Sequence, residues 1–228
     1  MSLCVVVIGA GRMGSVLAER LPGSTKKIII DKNFAKARLL ADKVAGIPSD
    51  SLESASAADL IAVVLPAPAV NETLARLLNI ARKGAVVLNM ATTARIDRSL
   101  PATRKDVFVV DAKIIGHAMS ISRGEPAIIV VKCDDDNRFG LISSQMTGFH
   151  RVVQGDADLV EIINKTGSTE GLKAAVAVRK KLSQLDIPDE WIDVAIRTVC
   201  AGTMKSFTEN DLGHFALELV KKLEKEKT

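Results

Sequence analysis

A doubly wound, mostly parallel α/β sheet followed by a smaller all-helical domain is the fold class this sequence predicts. Three observations carry it. Over the first two-thirds of the chain, short β-branched runs alternate with helical patterns. A glycine motif, Gly9-x-Gly11-x-x-Gly14, stands at the first strand-to-helix junction. After about Val153 the β signal stops and helical patterns fill the rest. The expected division is a sheet domain over 1–153 and a helical domain over 154–228.

The predicted strands are Leu3–Ile8, Lys27–Ile30, Leu60–Leu65, Ala85–Asn89, Val107–Val110 and Ala127–Lys132. They are apolar almost without interruption, as strands buried on both faces must be. Between the early ones lie the helical patterns Met13–Leu21, Ala35–Val44 and Val70–Ala81. Strands alternating with helices of that length argue for parallel pairing with helices on both sides. Beyond the sheet, Asp156–Leu185, Asp189–Phe207 and Asp211–Lys225 read as helices. Pro188-Asp189-Glu190 marks a helix restart, because proline and acidic residues suit a helix N-terminus. Leu172, Ala175, Val176, Leu182 and Leu185 recur at helical spacing. Three helices alone bury little surface, so they are expected to pack on the first domain and on a second copy of the chain, giving a homodimer through the C-terminal helices.

Composition narrows the function. The 228 residues are 47% apolar with mean hydropathy +0.20, which is a folded chain rather than a disordered one. The longest apolar runs, CVVVIG, IAVVL and AIIVV, are strand-sized and far below the ~20 residues of a membrane span. Cys4–Ile8 leads directly into the glycine motif with no signal-peptide pattern, so a cytoplasmic location is expected. Lys and Arg exceed Asp and Glu by 31 to 27, and with 3% aromatic residues and no Tyr there is no stacking platform for nucleic acid. Cys4, Cys133 and Cys200 are odd in number, widely spaced and set in apolar sequence, which suits buried thiols in a reducing compartment. His117, His150 and His214 lack metal-site spacing, and no metal is expected.

The glycine motif carries the chemistry. Gly9 permits a tight turn, Gly11 lets the backbone approach a pyrophosphate, and Gly14 lets the helix pack on the strand. Backbone N–H groups at the helix start, from Arg12, Met13 and Gly14, then meet the phosphate charge. The motif follows a strand, opens a helix, and is followed by a second strand ending in Asp31, 22 residues after Gly9. That context makes it the fingerprint of a Rossmann dinucleotide site. Asp31 would accept hydrogen bonds from the ribose hydroxyls of NAD; Lys32 and Asn33 keep NADP open. Leu65 and Pro66 end one later strand, and Met90, Ala91 and Thr92 follow another, both at carboxyl ends where such sheets bind ligands. Pro66 is equally well a strand stop.

The glycine motif, the strand ending VVLP, the run VDAKIIGHAMSISRGEPAIIV and the helical half together resemble the pyrroline-5-carboxylate reductases. The wider group includes coenzyme-F420-dependent (deazaflavin) NADP reductases and β-hydroxyacid dehydrogenases. Thr166-Gly167-Ser168 falls where the reductases begin a Ser-Gly-Ser-Gly-Pro-Ala run. The resemblance implies a nicotinamide cofactor, an NAD(P)-dependent oxidoreductase acting on a small imine or carbonyl compound, and a dimer built by the helical domains. Departures are equally informative. Ile115-Gly116-His117-Ala118-Met119 replaces a Met-Pro-Asn-Thr-Pro stretch, and the Ser-Pro-Gly-Gly-Thr loop that holds the substrate carboxylate is missing. The substrate is therefore expected to differ from pyrroline-5-carboxylate. The catalytic lysine of the β-hydroxyacid dehydrogenases would fall at Gly171, with Lys173 two residues late. Alternatives are a deazaflavin-dependent NADP reductase and a non-catalytic dinucleotide sensor.

Catalytic candidates remain. With no Tyr in the chain, a Tyr–Lys proton relay is excluded. His117, just past a strand end, is the best-placed proton donor for a carbonyl substrate. The stretch NKTGSTEGLK, Asn164–Lys173, places two glycines inside a helical pattern, at a cost of roughly 1 kcal/mol each, and is expected to interrupt a long helix where it passes the cofactor. Either a close helix crossing or a polar wall beside the nicotinamide explains them. Ser168 and Thr166 are then candidates for substrate hydrogen bonds, and Lys165 for an acidic group on the substrate.

Overall fold

The computed structural model describes residues 2–97, 99–100 and 103–225. The chain forms two compact units, Met1–Asn164 and Lys165–Thr228. The first is built on a sheet of eight strands: β1 Cys4–Ile8, β2 Lys26–Ile30, β3 Ile47–Ser49, β4 Leu60–Val63, β5 Val86–Asn89, β6 Phe108–Ile115, β7 Ile128–Val131 and β8 Arg151–Gln154. Their spatial order is β3-β2-β1-β4-β5-β6-β7-β8. Every pairing is parallel except β6 with β7. Helices α1 Arg12–Arg20, α2 Phe34–Val44, α3 Val70–Ile80, α4 Ala118–Ser122 and α5 Asp136–Gln145 connect them.

Alternate residues of the central strands feed two cores. Val5, Val7, Ile29, Leu60, Leu88 and Ile129 pack with Leu17 of α1, Leu40 of α2 and Ile142 of α5. Val6, Ile8, Ile30, Ile61, Val63 and Val87 pack with Val70, Leu74, Leu77 and Leu78 of α3. The α3 positions follow the i, i+4, i+7, i+8 spacing of a single helix face. Double-sided burial is the reason these strands are apolar at consecutive positions rather than at every second one.

The structure extends and corrects the expected elements. β6 continues five residues past Val110 to Ile115, and its second half pairs with β7 from Ala112↔Val131 to Ile115↔Ile128. Its return connection turns at Gly116 (φ +151°) and Gly124 (φ +98°), so β7 runs antiparallel instead of crossing over. β3, β8 and α5 were not expected from the pattern. Strands β3 and β8 are the two sheet edges, and α5 is started by Asp135, whose side chain accepts the Arg138 N–H at 2.9 Å.

The largest correction concerns α6, which runs unbroken from Leu159 to Leu182. Asn164–Lys173 lies wholly inside it and does not interrupt the helix. A Cβ on Gly167 or Gly171 would meet no described heavy atom within 4 Å, so neither glycine serves a close approach within the described chain. The helical unit continues with α7 Asp189–Val194, a π-helical segment Ala195–Cys200, α8 Ala201–Glu209 and α9 His214–Lys225. No helix among the described residues is long and apolar enough to cross a membrane.

Candidate functional site

The strand order reverses between β1 and β4, and the carboxyl ends of the strands at such a switch point are where open α/β sheets bind ligands. Gly9 turns the chain out of β1 with φ +107°. Its N–H donates to the Ile30 carbonyl at 2.7 Å, and a Cβ in its place would collide with the Val64 carbonyl. A Cβ on Gly14 would collide with the Gly9 carbonyl. Gly11 differs, because a Cβ there would meet no described heavy atom within 4 Å. The loop is thus tightly packed on its inner side and open on its outer side. The first bond of α1 runs from Ser15 N–H to Gly11 O at 2.9 Å, and Gly11 offers no side-chain cap. The N–H groups of Arg12, Met13 and Gly14 therefore precede the helical ladder, where the helix dipole favours an anion.

Asp31 is joined to this loop directly. Its Oδ2 accepts the Ala10 N–H at 2.8 Å and its Oδ1 the Asn33 N–H at 2.9 Å. One carboxylate thereby ties the glycine loop to the start of α2, and each oxygen keeps a second lone pair. Asn33 in turn caps α2 through Lys36 N–H, while the Lys32 side chain is exposed.

Two further loops complete the edge. Val64 N–H donates to Ile8 O at 2.8 Å and Met90 N–H to Val63 O at 3.0 Å, so the segments after β4 and β5 stay zipped to their neighbours. Leu65 is half-buried, and Pro66 is exposed ahead of a 3₁₀ turn at Ala67–Ala69. Met90 and Ala91 send their side chains into the two opposite cores. Contact with a ligand there falls to their backbone and to partly exposed Thr92.

The catalytic candidates are dispersed. His117 is exposed at the start of the five-residue α4 and makes no capping bond. Lys165, Thr166 and Ser168 are exposed on α6 within the helical unit. The structure brings the glycine loop, Asp31, Leu65, Pro66 and Met90–Thr92 to one edge of the sheet; it makes no bond between His117 and any of them. No cluster of His, Cys, Asp or Glu suited to a metal occurs among the described residues.

Sequence reasoning missed a polar network behind the β5 loop. The Lys113 side chain is 0% exposed. Its Nζ donates to the Ala94 carbonyl at 3.0 Å and lies 3.8 Å from both Asp111 and Asp158. Fully buried Asn89 donates to the same carbonyl at 3.1 Å and to Asp111 at 2.7 Å, and accepts the Ala91 N–H at 3.2 Å. Arg95 pairs with Asp158 and, at 3.2 Å, with Glu161 on the first turn of α6. Asn164 on the next turn of α6 accepts the Gly116 N–H at 3.3 Å and donates to Ile114 O at 2.9 Å. Burial holds the Lys113 ammonium below the ordinary lysine range; Asp111 and Glu161 oppose that shift, Arg95 and Lys132 add to it. The one available signal was a lysine inside the otherwise strand-like run VDAKII.

Residues 4–135, more than half of the chain, match the family described as the NAD binding domain of 6-phosphogluconate dehydrogenase. Among curated proteins no sequence matches significantly. Solved structures share the fold. A pyrroline-5-carboxylate reductase from Coxiella burnetii superposes with TM-score 0.71 at 15% identity, covering 96% of this chain and 84% of its own. A 3-hydroxyisobutyrate dehydrogenase from Salmonella typhimurium gives 0.68 at 20% identity, covering 92% and 80%. A semialdehyde dehydrogenase NAD-binding protein from Cupriavidus necator, in complex with calcium and NAD, gives 0.67 at 17%, covering 93% and 86%.

Proposed function

The chain belongs to the family of the NAD binding domain of 6-phosphogluconate dehydrogenase, and from that premise we propose that it is an NAD(P)-dependent oxidoreductase, with NAD favoured, acting on a small imine or carbonyl compound. One observation carries the proposal: the glycine loop has no room for side chains inside and is open outside at Gly11, beside helix N–H groups that lack partners in the ladder. The cradle fits a pyrophosphate and has no other evident use. The N–H groups of Arg12, Met13 and Gly14 would hold the phosphates, and Asp31 would take the ribose hydroxyls on its remaining lone pairs. The backbone of Met90 and Ala91, with Thr92, would border the nicotinamide. When bound, that group supplies or accepts the hydride.

The protein's own chemical task is to place the substrate and, for a carbonyl, to give a proton to its oxygen. His117 is proposed as that donor, since its exposed imidazole stands just past the end of β6. Thr166 and Ser168 are proposed to hydrogen-bond the substrate and Lys165 to meet an acidic substituent. A cytoplasmic homodimer is the proposed working form.

Following NADH oxidation at 340 nm across a panel of small cyclic imines, aldehydes and 2- and 3-oxo acids tests this. Turnover that falls roughly 10²-fold in kcat/KM in His117→Ala is expected. Tight NADH binding with no turnover across the panel would make the protein a nucleotide sensor instead.

A further inference from the structure

We infer that Lys113 is a positioning residue for the nicotinamide end of the nucleotide, acting through the loop Asn89–Arg95 and not by touching the ligand. The inference rests on the nucleotide-binding reading above. Residues 90–94 form the loop proposed to border the nicotinamide, and they are held from behind. Lys113 and Asn89 converge on the single Ala94 carbonyl, while Asn89 also fixes the Ala91 N–H. The next residue, Arg95, is pinned by Asp158 and Glu161. Loop shape is thus set by side chains on β5, β6 and the start of α6.

The chemistry of Lys113 marks it as more than packing. An aliphatic residue could fill the space behind Ala94 without the cost of burying an ammonium. Among the described residues Lys113, with three donors, makes one hydrogen bond, and the facing carboxylates of Asp111 and Asp158 stay at 3.8 Å. Those distances are too long for direct bonds and short enough for strong attraction. The charge is therefore held between two acids and the loop carbonyl, from β6, from the segment before α6, and from residue 94. Removing it takes one of the two donors from Ala94 O and the positive charge from between Asp111 and Asp158, so the loop is held less firmly in its shape. The glycine loop and Asp31 belong to other strands and keep theirs.

That separation gives the test. NADH and ADP-ribose share the adenosine and both phosphates, and only NADH has the nicotinamide. Calorimetric titration of both into wild type and Lys113→Met should show NADH weakened about tenfold and ADP-ribose changed by less than about twofold. Lys113→Arg, which keeps charge and donors, should recover part of the NADH loss. If Lys113→Met does not fold, Arg95→Gln at an exposed position serves, with the same split expected at about threefold. Equal losses for the two ligands, or none for either, would overturn the inference and leave the nucleotide site standing. Wild type binding neither ligand would overturn the nucleotide reading itself and this inference with it.

Discussion

Asp31 is the residue proposed to set the choice of nucleotide. Its carboxylate sits at the end of β2 with one backbone N–H on each oxygen, leaving acceptors for the 2′ and 3′ hydroxyls of NAD. The 2′-phosphate of NADP would bring negative charge to the same place. Two unit charges about 4 Å apart repel by about 4 kcal/mol at an effective dielectric of ~20. Solvent and the exposed Lys32 reduce that to ~1.5–3 kcal/mol, a ten- to hundredfold preference for NADH. Asp31→Ser should erase most of that ratio while weakening both nucleotides, because Ala10 loses its acceptor; paired titrations of NADH and NADPH read this directly. Lys113 has a separate signature in stability. Its folded pKa lies below the ordinary 10.5, so between the two values the unfolded chain binds the extra proton. Stability contributed by this group therefore rises with pH through its folded pKa and levels off above about 10.5. Denaturant melts of wild type and Lys113→Met at a series of pH values should show wild type gaining on the variant as the solution becomes alkaline. A gap that stays constant with pH would mean the ammonium keeps its proton throughout.

Elements were legible in the sequence where burial is symmetrical. β1, β2, β4 and β5, with α1 to α3 between them, announce themselves because a strand covered on both faces carries a near-continuous apolar run. β3 and β8 are short, half-exposed edges, and α5 is polar with Gly140 in its middle, so neither pattern stands out. β6 looked finished at Val110 because Asp111 and Lys113 read as a polar exit; the partners that let a lysine stay buried, Ala94 and Asp158, are distant in sequence. The same distance hid the network itself, whereas the glycine loop and Asp31 were visible because their spacing is local. At α6 the local signal misled. Two glycines suggested a break, yet a 24-residue helix tolerates a cost of roughly 1 kcal/mol for each. Since both glycines have open space for a Cβ, Gly167→Ala and Gly171→Ala should each stabilise the chain by about 0.5–1 kcal/mol and raise Tm. A lowered Tm would mean that another surface lies against α6.

On the scale of the molecule, the helical unit leaves much apolar surface in water. Among the described residues of Lys165–Thr228 the only buried hydrophobic side chain is Ile192, while Leu172, Val176, Trp191, Val199, Phe207 and Phe215 are exposed. Met204, Phe207, Leu212, Leu219 and Leu223 line an apolar groove on α8 and α9. Contiguous patches of this kind are uncommon on monomers, and a second copy is the proposed cover. Light scattering should give a dimer at micromolar concentration, and Phe207→Glu with Leu219→Glu should shift it toward monomer; a wild-type monomer would place the partner elsewhere. The proposed nucleotide site belongs to the other unit, and the oxidoreductase reading depends on it. Calorimetric titration of NADH into the purified wild-type protein, with NADPH in parallel, tests that most directly. NADH should bind at one site per chain, in the micromolar range or tighter, and ten- to a hundredfold more tightly than NADPH. Absence of heat or competition from both nucleotides at millimolar concentration would contradict it.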